Sequence, residues 1–418
     1  MDNIVYSVWL SEILGVENKT YTKLMDKFDD AYGVYSSEDF DSLQLTDNTI
    51  NKLKNKDISK ALKILDECRN CGIDIIDRSN PLYPKRLLTI TTPPYILYVK
   101  GKLRDLNDEV CIGVVGTRDM SEVGKIAAAN MGYGLAAGGA VVVSGLAQGI
   151  DSTAHIGCIK SGGYTVAVLG CGHNKTIRKD NVKLFAKIVE TGVVISEFSP
   201  STIAARFTYP QRNRIISGMS QATVVVEAND KSGALITARY AAKQGRSVYA
   251  VANNDGVLDY SGGITLLEEG ARLIRNADEV LERFELLYPH KIDKLNAIKA
   301  INKFTYTETP AAKVNLAPEK VKIEQAKPIR VTEKIIQIKK NQINKEVVKL
   351  PPELDDSELG SFEKEVCRQI YNNGSINTDE LCIILSSDIN KVNMALTMLE
   401  ISGFIEAAAG GMFLPSTN

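Results

Sequence analysis

From Val110 to Phe284 the chain alternates short, continuous runs of apolar β-forming residues with longer amphipathic stretches. Because a run without polar alternation fits a strand covered on both faces, these runs predict a buried parallel sheet. Alternation of this length predicts a doubly wound, Rossmann-like α/β core. The predicted strands are CIGVVG, AVVVSG, YTVAVLG, GVVISEF, ATVVVEA and SVYAV, with ARLI as a candidate for the last.

The flanking segments predict further domains. Residues 1–75 have the apolar spacing of helices and suggest a small domain of the helix-hairpin-helix type. Residues 76–109 are rich in proline and predict an extended connection that ends in a short strand and leads to the core at 110–287. A basic, flexible linker is expected at 288–357. Residues 358–418 predict three helices and a hairpin, which is the outline of a winged helix.

The bulk composition is that of a soluble globular chain of two or three domains, with 418 residues, 44% hydrophobic and 24% charged. We expect a cytoplasmic protein, because the sequence has neither a signal-peptide pattern nor an apolar run of membrane-spanning length. The seven scattered cysteines suit a reducing compartment. Cys68 and Cys71 form a lone CxxC, for which one helical turn with two thiols is favoured over a zinc or redox site.

The net charge of −1 hides an uneven distribution. Between His290 and Leu350 there are 14 Lys and Arg against 6 Asp and Glu, a local charge of +8. Such a segment either adds sequence-independent affinity for DNA or serves as a solvated spacer.

Ligands of open parallel sheets bind outside the carboxyl ends of the strands, so the first strand-end loop is a candidate site. Gly116 there allows close approach of an anion, and the helix that follows would present its N–H groups. Arg118, after Thr117, adds a guanidinium suited to phosphate. The chain has neither GxGxxG nor GxxxxGK[ST], so no nucleotide cofactor is expected.

The second strand runs into VVVSGLAQGIDSTAH, which has two interpretations. Ser144 could be a nucleophile, but Val142 breaks the GxSxG pattern and no triad partner is evident. The favoured interpretation is a phosphate cradle, with Ser144, Gly145 and Gly149 near the anion. Asp151 is then expected to be the N-cap of the next helix.

Basic and aromatic residues follow the later strands. Arg206, Arg212 and Arg214 alternate with Phe207 and Tyr209, a combination that suits single-stranded nucleic acid because cations neutralise phosphates and rings stack on bases. Internal salt bridges of the arginines are the alternative. The other candidates at strand ends are Lys175, Arg178 and Lys179 after the third strand, and Ser232 and Gly233 after the fifth.

These motifs, in this order, resemble the DNA-processing protein A (DprA, or Smf) family. The matching motifs are VVGTR, SGLAQGID, VAVLGCG, SEF, YPQRNRIISG and VVVEANDKSGALITARYAAKQGR. The resemblance implies a protein of a family that commonly forms homodimers, binds single-stranded DNA, protects incoming DNA and loads the RecA recombinase during natural transformation. It implies no catalytic residue, metal or cofactor.

The resemblance also assigns Arg118, Lys179 and Arg206 to the DNA pocket. The chain departs from the family pattern at Gln148, where a cation is usual, and at 252–254, where Ala-Asn-Asn replaces Pro-Gly-Ser. The first departure suggests weaker binding or an altered pocket.

The sequence leaves three other functions open. A phosphoribohydrolase-like enzyme has a similar core, but EANDKSGALITA lacks that group's glycine pair and glutamate. A nuclease would need clustered carboxylates, for which Glu197, Glu227 and Asp230 are the candidates. A scaffold whose winged helix binds a protein is the third, and the cationic strand ends disfavour it.

Overall fold

The fold is taken from a computed structural model that describes residues 3–174, 181–252, 258, 260–304, 359–374, 376–385, 387, 389–408 and 412–416. The chain forms two compact units. The first comprises residues 1–251 and 260–304, and the second comprises residues 252–259 and 305–418.

The first unit begins with helices packed around Trp9, Leu10, Leu24 and Leu53, which are buried. Thr46 caps the helix Asp47–Lys54 by accepting a hydrogen bond from the Thr49 N–H. The helices are α1 (Ile4–Leu14), α2 (Thr20–Phe28), α3 (Ala31–Ser36), α4 (Asp47–Lys54) and α5 (Ser59–Cys71).

A nine-stranded sheet forms the centre of this unit. Its strands are β1 (Asp74–Asp77), β2 (Ile96–Gly101), β3 (Cys111–Val115), β4 (Val141–Ser144), β5 (Thr165–Leu169), β6 (Val193–Ser196), β7 (Ala222–Val225), β8 (Ser247–Val251) and β9 (Arg272–Ile274). Their order is β1-β2-β6-β5-β4-β3-β7-β8-β9. The predicted strands from β3 onward all form.

The strands predicted between Val110 and Phe284 are all parallel, as expected, but the whole sheet is mixed. The strands β3 to β9 all run parallel to their neighbours among themselves. β1 and β2 pair antiparallel, and β2 also runs antiparallel to β6. β2 lies in the segment predicted to be an extended connection, and β1 spans the predicted boundary between that segment and the N-terminal helices. The prolines of that segment lie between the strands, where they do not interrupt the ladder hydrogen bonds.

Helices cover both faces of the sheet. One apolar cluster includes residues of the helices at 122–137, 150–160, 277–287 and 294–301, and another includes residues of the helices at 208–219, 233–243 and 261–268. β3, β4 and β5 are buried along their whole length. The helices are α6 (Glu122–Ala137), α7 (Ile150–Lys160), α8 (Val182–Thr191), α9 (Thr208–Met219), α10 (Gly233–Lys243), α11 (Ser261–Glu268), α12 (Ala277–Leu287) and α13 (Lys294–Ile301).

The segment predicted to be a linker from residue 288 begins with folded structure. Ile292 and Ala297 are buried in the cluster with α6. The Phe304 ring stacks on Tyr133 of α6 at 3.9 Å between centroids. The prediction was therefore wrong for 288–304, and residues 305–358 lie outside the described part of the chain.

The described part of the second unit, from residue 359 onward, contains three helices and a small sheet of order β10-β12-β11. Val366, Ile370, Leu396 and Leu399 are among its buried residues. Its elements are α14 (Ser361–Asn373), β10 (Ile376–Asn377), α15 (Thr378–Ile384), α16 (Ile389–Ile401), β11 (Ile405–Ala408) and β12 (Met412–Pro415). No helix in the described parts of either unit combines the length and apolar character needed to span a bilayer.

Candidate nucleic-acid interface

A pocket of about 100 Å³ opens at the carboxyl ends of β3, β4 and β5. The chain winds from β3 to β6 in one direction and then returns to place β7 on the other side of β3, so this edge contains the topological switch point. Arg118, Tyr209 and Arg212 line the pocket together with the loop at 145–148 and the end of β5 at 169–171.

Arg118 is exposed at the mouth of this pocket. Its guanidinium carbon lies 4.9 Å from the centroid of the Tyr209 ring, a cation–π contact that orients the charge. The neighbouring Thr117 donates its N–H to the Glu227 carbonyl at 2.7 Å and accepts the Ile150 N–H. A side chain at Gly116 would collide with Ile150, which explains the glycine.

Asp151 lies in the first turn of α7 and is not its N-cap, which corrects the prediction. The N-cap is Gly149, which has a φ of 93°. The Asp151 carboxylate accepts the Gly145 N–H at 3.1 Å, and the N–H groups of Ala147 and Gly116 also stabilise it. The predicted phosphate cradle therefore holds a carboxylate of the protein itself.

Arg212 is buried beneath the same loop, at 4% exposure. It donates to the Gly145 carbonyl at 2.6 Å and to the Val168 carbonyl, so it ties the loop to β5. Burial raises the pKa of Asp151, while the Arg212 charge and the loop N–H groups act to lower it. Arg212 thus forms a wall of the pocket, with hydrogen bonds directed to the protein.

Ser144 does not face the pocket, which corrects its assignment as a phosphate donor. It is fully buried, and its Oγ donates to the Val114 carbonyl at 2.5 Å. The hydroxyl therefore joins the ends of β3 and β4.

Arg214 is also corrected, because it is a buried structural residue with 2% exposure. It donates to the Glu197 carboxylate and to the Thr92 carbonyl. The Glu17 carboxylate lies 3.9 Å from its Nε. The alternative of an internal salt bridge is therefore right for this arginine.

Arg206 and Phe207 lie on the surface just before α9, which contributes Tyr209 to the pocket. The Phe207 side chain is 68% exposed. Arg206 has no ion pair within the described part of the chain. Lys179 lies outside the described residues, as do Lys175 and Arg178.

Ser232 and Gly233 lie away from the pocket lining, at the start of α10. The Ser232 Oγ accepts the Ala234 N–H at 3.2 Å and so caps the helix. Nothing lies within 4 Å of the position that a Cβ would take at Gly233, so that side of its backbone is open. Its carbonyl accepts a hydrogen bond from the Asn213 amide.

Glu227, a nuclease candidate, instead binds Ser121, the N-cap residue of α6. Its carboxylate accepts hydrogen bonds from the Ser121 N–H and Oγ. The Ser121 Oγ in turn accepts the Gly124 N–H. This carboxylate occupies the helix N-terminus at which a phosphate was predicted, so Arg118 is the cationic group that the first loop offers.

Of the predicted site residues, Arg118, Gly145 and Arg212 line the pocket, and Gly116, Thr117 and Gly149 shape its loops. The residues at 169–171 were missed, although their place at a strand end could have identified them. Within the described ranges, no three His, Cys, Asp or Glu side chains cluster closely enough to hold a metal ion.

Residues 74–285 match the family model of DNA recombination-mediator protein A. The DNA processing protein DprA of Bacillus subtilis is 37% identical over 225 residues, 53% of this chain and 75% of the relative. The DNA processing protein DprA of Streptococcus pneumoniae is 38% identical over 205 residues, 49% of this chain and 71% of the relative.

The fold is similar to that of a solved relative. The X-ray structure of DNA processing protein A from Streptococcus pneumoniae aligns with a TM-score of 0.59 and 29% identity. The alignment covers 68% of this chain and 98% of that one. The family match spans the core and the strand-end loops described above. The chain belongs to the DNA recombination-mediator protein A family.

Proposed function

We propose that the chain binds single-stranded DNA along the surface formed by the Arg118 pocket and the Arg206–Phe207 loop. The observation that carries this proposal is the set of exposed cations and rings at the carboxyl edge of the sheet. Arg118 is stacked on Tyr209, and Arg206 adjoins an exposed phenylalanine. The guanidinium groups would neutralise phosphates, while Phe207 offers a stacking surface for an unstacked base.

The same features favour a single strand over a duplex. In a duplex the base faces are stacked on each other, so an exposed ring such as Phe207 gains contact only with unstacked bases. The pocket is also small, at about 100 Å³, so it suits a single base or phosphate group of a DNA strand better than a double helix. Family membership supports a role in DNA processing.

We propose further that the site breaks no bond. The carboxylates of Glu197 and Glu227 are hydrogen-bonded to the protein. Burial lowers the pKa of His155 to about 3 and that of His173 to about 4, so both are neutral at pH 7 and enclosed. These groups are therefore poorly placed for acid–base catalysis.

The proposal extends to partners. As a member of a recombination-mediator family, the chain is proposed to act as a homodimer, to protect the bound strand and to load RecA onto it. A direct test measures ATP hydrolysis by RecA on oligothymidine covered by single-strand-binding protein. We expect ATP hydrolysis by RecA to begin sooner when the chain is present. An unchanged onset of hydrolysis would count against RecA loading.

The second unit is proposed to be a winged helix. Its order of helix, strand, two helices and hairpin supports this assignment. The exposed residues of α16 include Met394 at 72% and Met398 at 48%. Because Lys391 is the single cation in the sequence of this helix and is offset by Glu400, the surface favours a protein contact over the reading of a duplex.

The central proposal is tested by titrating a labelled oligothymidine with the full chain while an unlabelled duplex of equal length competes. Tight binding that the duplex does not displace is expected. Equal competition by the duplex would overturn the preference for single strands. Release of free base from nucleoside monophosphates, measured in parallel, would instead favour the phosphoribohydrolase alternative.

A further inference from the structure

The loops that follow β5 and β6 are joined side by side. The Gly172 N–H donates to the Thr202 carbonyl at 2.9 Å, and the Asn174 N–H donates to the Pro200 carbonyl at 3.0 Å. The second loop continues directly to Arg206, Phe207 and α9. The position of this pair of loops therefore determines where the exposed cation and ring lie.

A single carboxylate from the N-terminal helices binds both loops. Glu67 of α5 accepts a hydrogen bond from the Asn174 amide at 2.8 Å. The same Oε1 atom accepts a hydrogen bond from the Ser201 hydroxyl. Cys71, one helical turn later, contacts the Asn174 amide through its sulfur at 3.3 Å.

A second contact joins the N-terminal helices to the framework of the site. Glu17, in the turn between α1 and α2, lies 3.9 Å from the buried Arg214. Arg214 belongs to α9, which also carries Tyr209 and Arg212. The helical region thus contacts both the loop that precedes α9 and α9 itself.

We infer that Glu67 is a positioning residue for DNA binding, and that the N-terminal helices hold the Arg206–Phe207 loop in its binding position. This inference rests on the proposed single-strand site and adds to it the residue that orders the loop. Losing both hydrogen bonds would let the loop sample other positions. DNA binding would then have to order the loop, and the free-energy cost of that ordering would weaken the affinity.

The test uses the full chain with Glu67→Ala, Glu67→Gln and Ser201→Ala. Glu67→Ala is expected to weaken oligothymidine binding about fivefold, and Ser201→Ala about two- to threefold. Glu67→Gln keeps an oxygen acceptor at the same place and is expected to restore most of the affinity. Asp66→Ala is the matched control, because Asp66 is exposed and pairs with Arg69 on its own helix.

A readout without DNA separates this inference from the proposed function. Trypsin cleaves after Arg206, and peptide mapping measures that rate in the native protein. Faster cleavage is expected in Glu67→Ala and Ser201→Ala, and an unchanged rate in Asp66→Ala. Unchanged cleavage and affinity in Glu67→Ala would overturn the inference. Faster cleavage of Glu67→Ala with unchanged affinity for oligothymidine would show that Glu67 orders the loop but that the loop takes no part in binding. That result would also overturn the inference.

Discussion

The carboxylate of Asp151 accepts the backbone N–H of Gly145 at 3.1 Å, inside a loop whose sequence resembles an anion-binding turn. Arg212 donates to the carbonyl of the same glycine. Together the two side chains hold Gly145 through both of its backbone groups. The loop is therefore a rigid wall of the pocket, and the cations that remain free for DNA are on neighbouring segments.

Ser144→Ala tests this view of the loop. The variant is expected to bind oligothymidine within twofold of the wild type, because Ser144 faces the Val114 carbonyl and not the pocket. The free energy of unfolding should fall by about 1–2 kcal/mol, since a buried acceptor loses its partner. Fluorescence anisotropy and urea denaturation measure the two quantities. A large loss of affinity with unchanged stability would restore the phosphate-donor assignment.

Two arginines of one segment are expected to behave in opposite ways. Arg214→Ala leaves the Glu197 carboxylate buried without its partner and should lower the free energy of unfolding by about 3–5 kcal/mol. Arg206→Ala should leave the free energy of unfolding unchanged within about 0.5 kcal/mol, because the Arg206 side chain is exposed. Urea denaturation compares them directly. Equal destabilisation by both would contradict the assignment.

His173 should make the protein less stable in acid. Its folded pKa is lowered to about 4 by burial, against about 6.5 in the unfolded chain. Between these values the unfolded chain binds the extra proton, so stability falls as pH falls through that window. The contribution is about 1 kcal/mol per pH unit.

The variant His173→Gln isolates this effect. Its unfolding free energy should depend less steeply on pH between about 6.5 and 4 than that of the wild type. Denaturant titrations at several pH values give both curves, and the difference between them cancels the other titrating groups. Parallel curves would show that His173 is accessible to protons in the folded state.

The sequence predicted the core because apolar runs leave few alternatives to buried strands. The short strand expected at the end of the proline-rich segment forms as β2, but β1 was missed because it is only four residues long. α13 was missed because eight residues in a basic segment carry a weak periodic signal. The buried and exposed arginines could not be separated either. Arg206 and Arg214 occupy similar sequence contexts, and their burial depends on where Glu197, Glu17 and Thr92 lie in the fold.

The loop after β4 shows a similar limit. Glycines followed by a helix provide free N–H groups, and the sequence does not say which anion they meet. In the fold, the anion is Asp151, six residues after Gly145. Which atoms meet depends on the turn between them, including the left-handed Leu146 at φ 52° and Gly149 at φ 93°.

The most direct test of the central claim is the salt dependence of oligothymidine binding for the wild type, Arg118→Ala and Arg206→Ala. Lys187→Ala is the control, because Lys187 pairs with Glu190 near the C-terminus of α8. That end of α8 leads into the amino end of β6, opposite the carboxyl edge that carries the proposed binding surface. Each arginine variant is predicted to bind more weakly, with a slope of log affinity against log salt that is smaller by about 0.7. The control should match the wild type. Wild-type affinity and slope in both arginine variants would contradict the proposed binding surface.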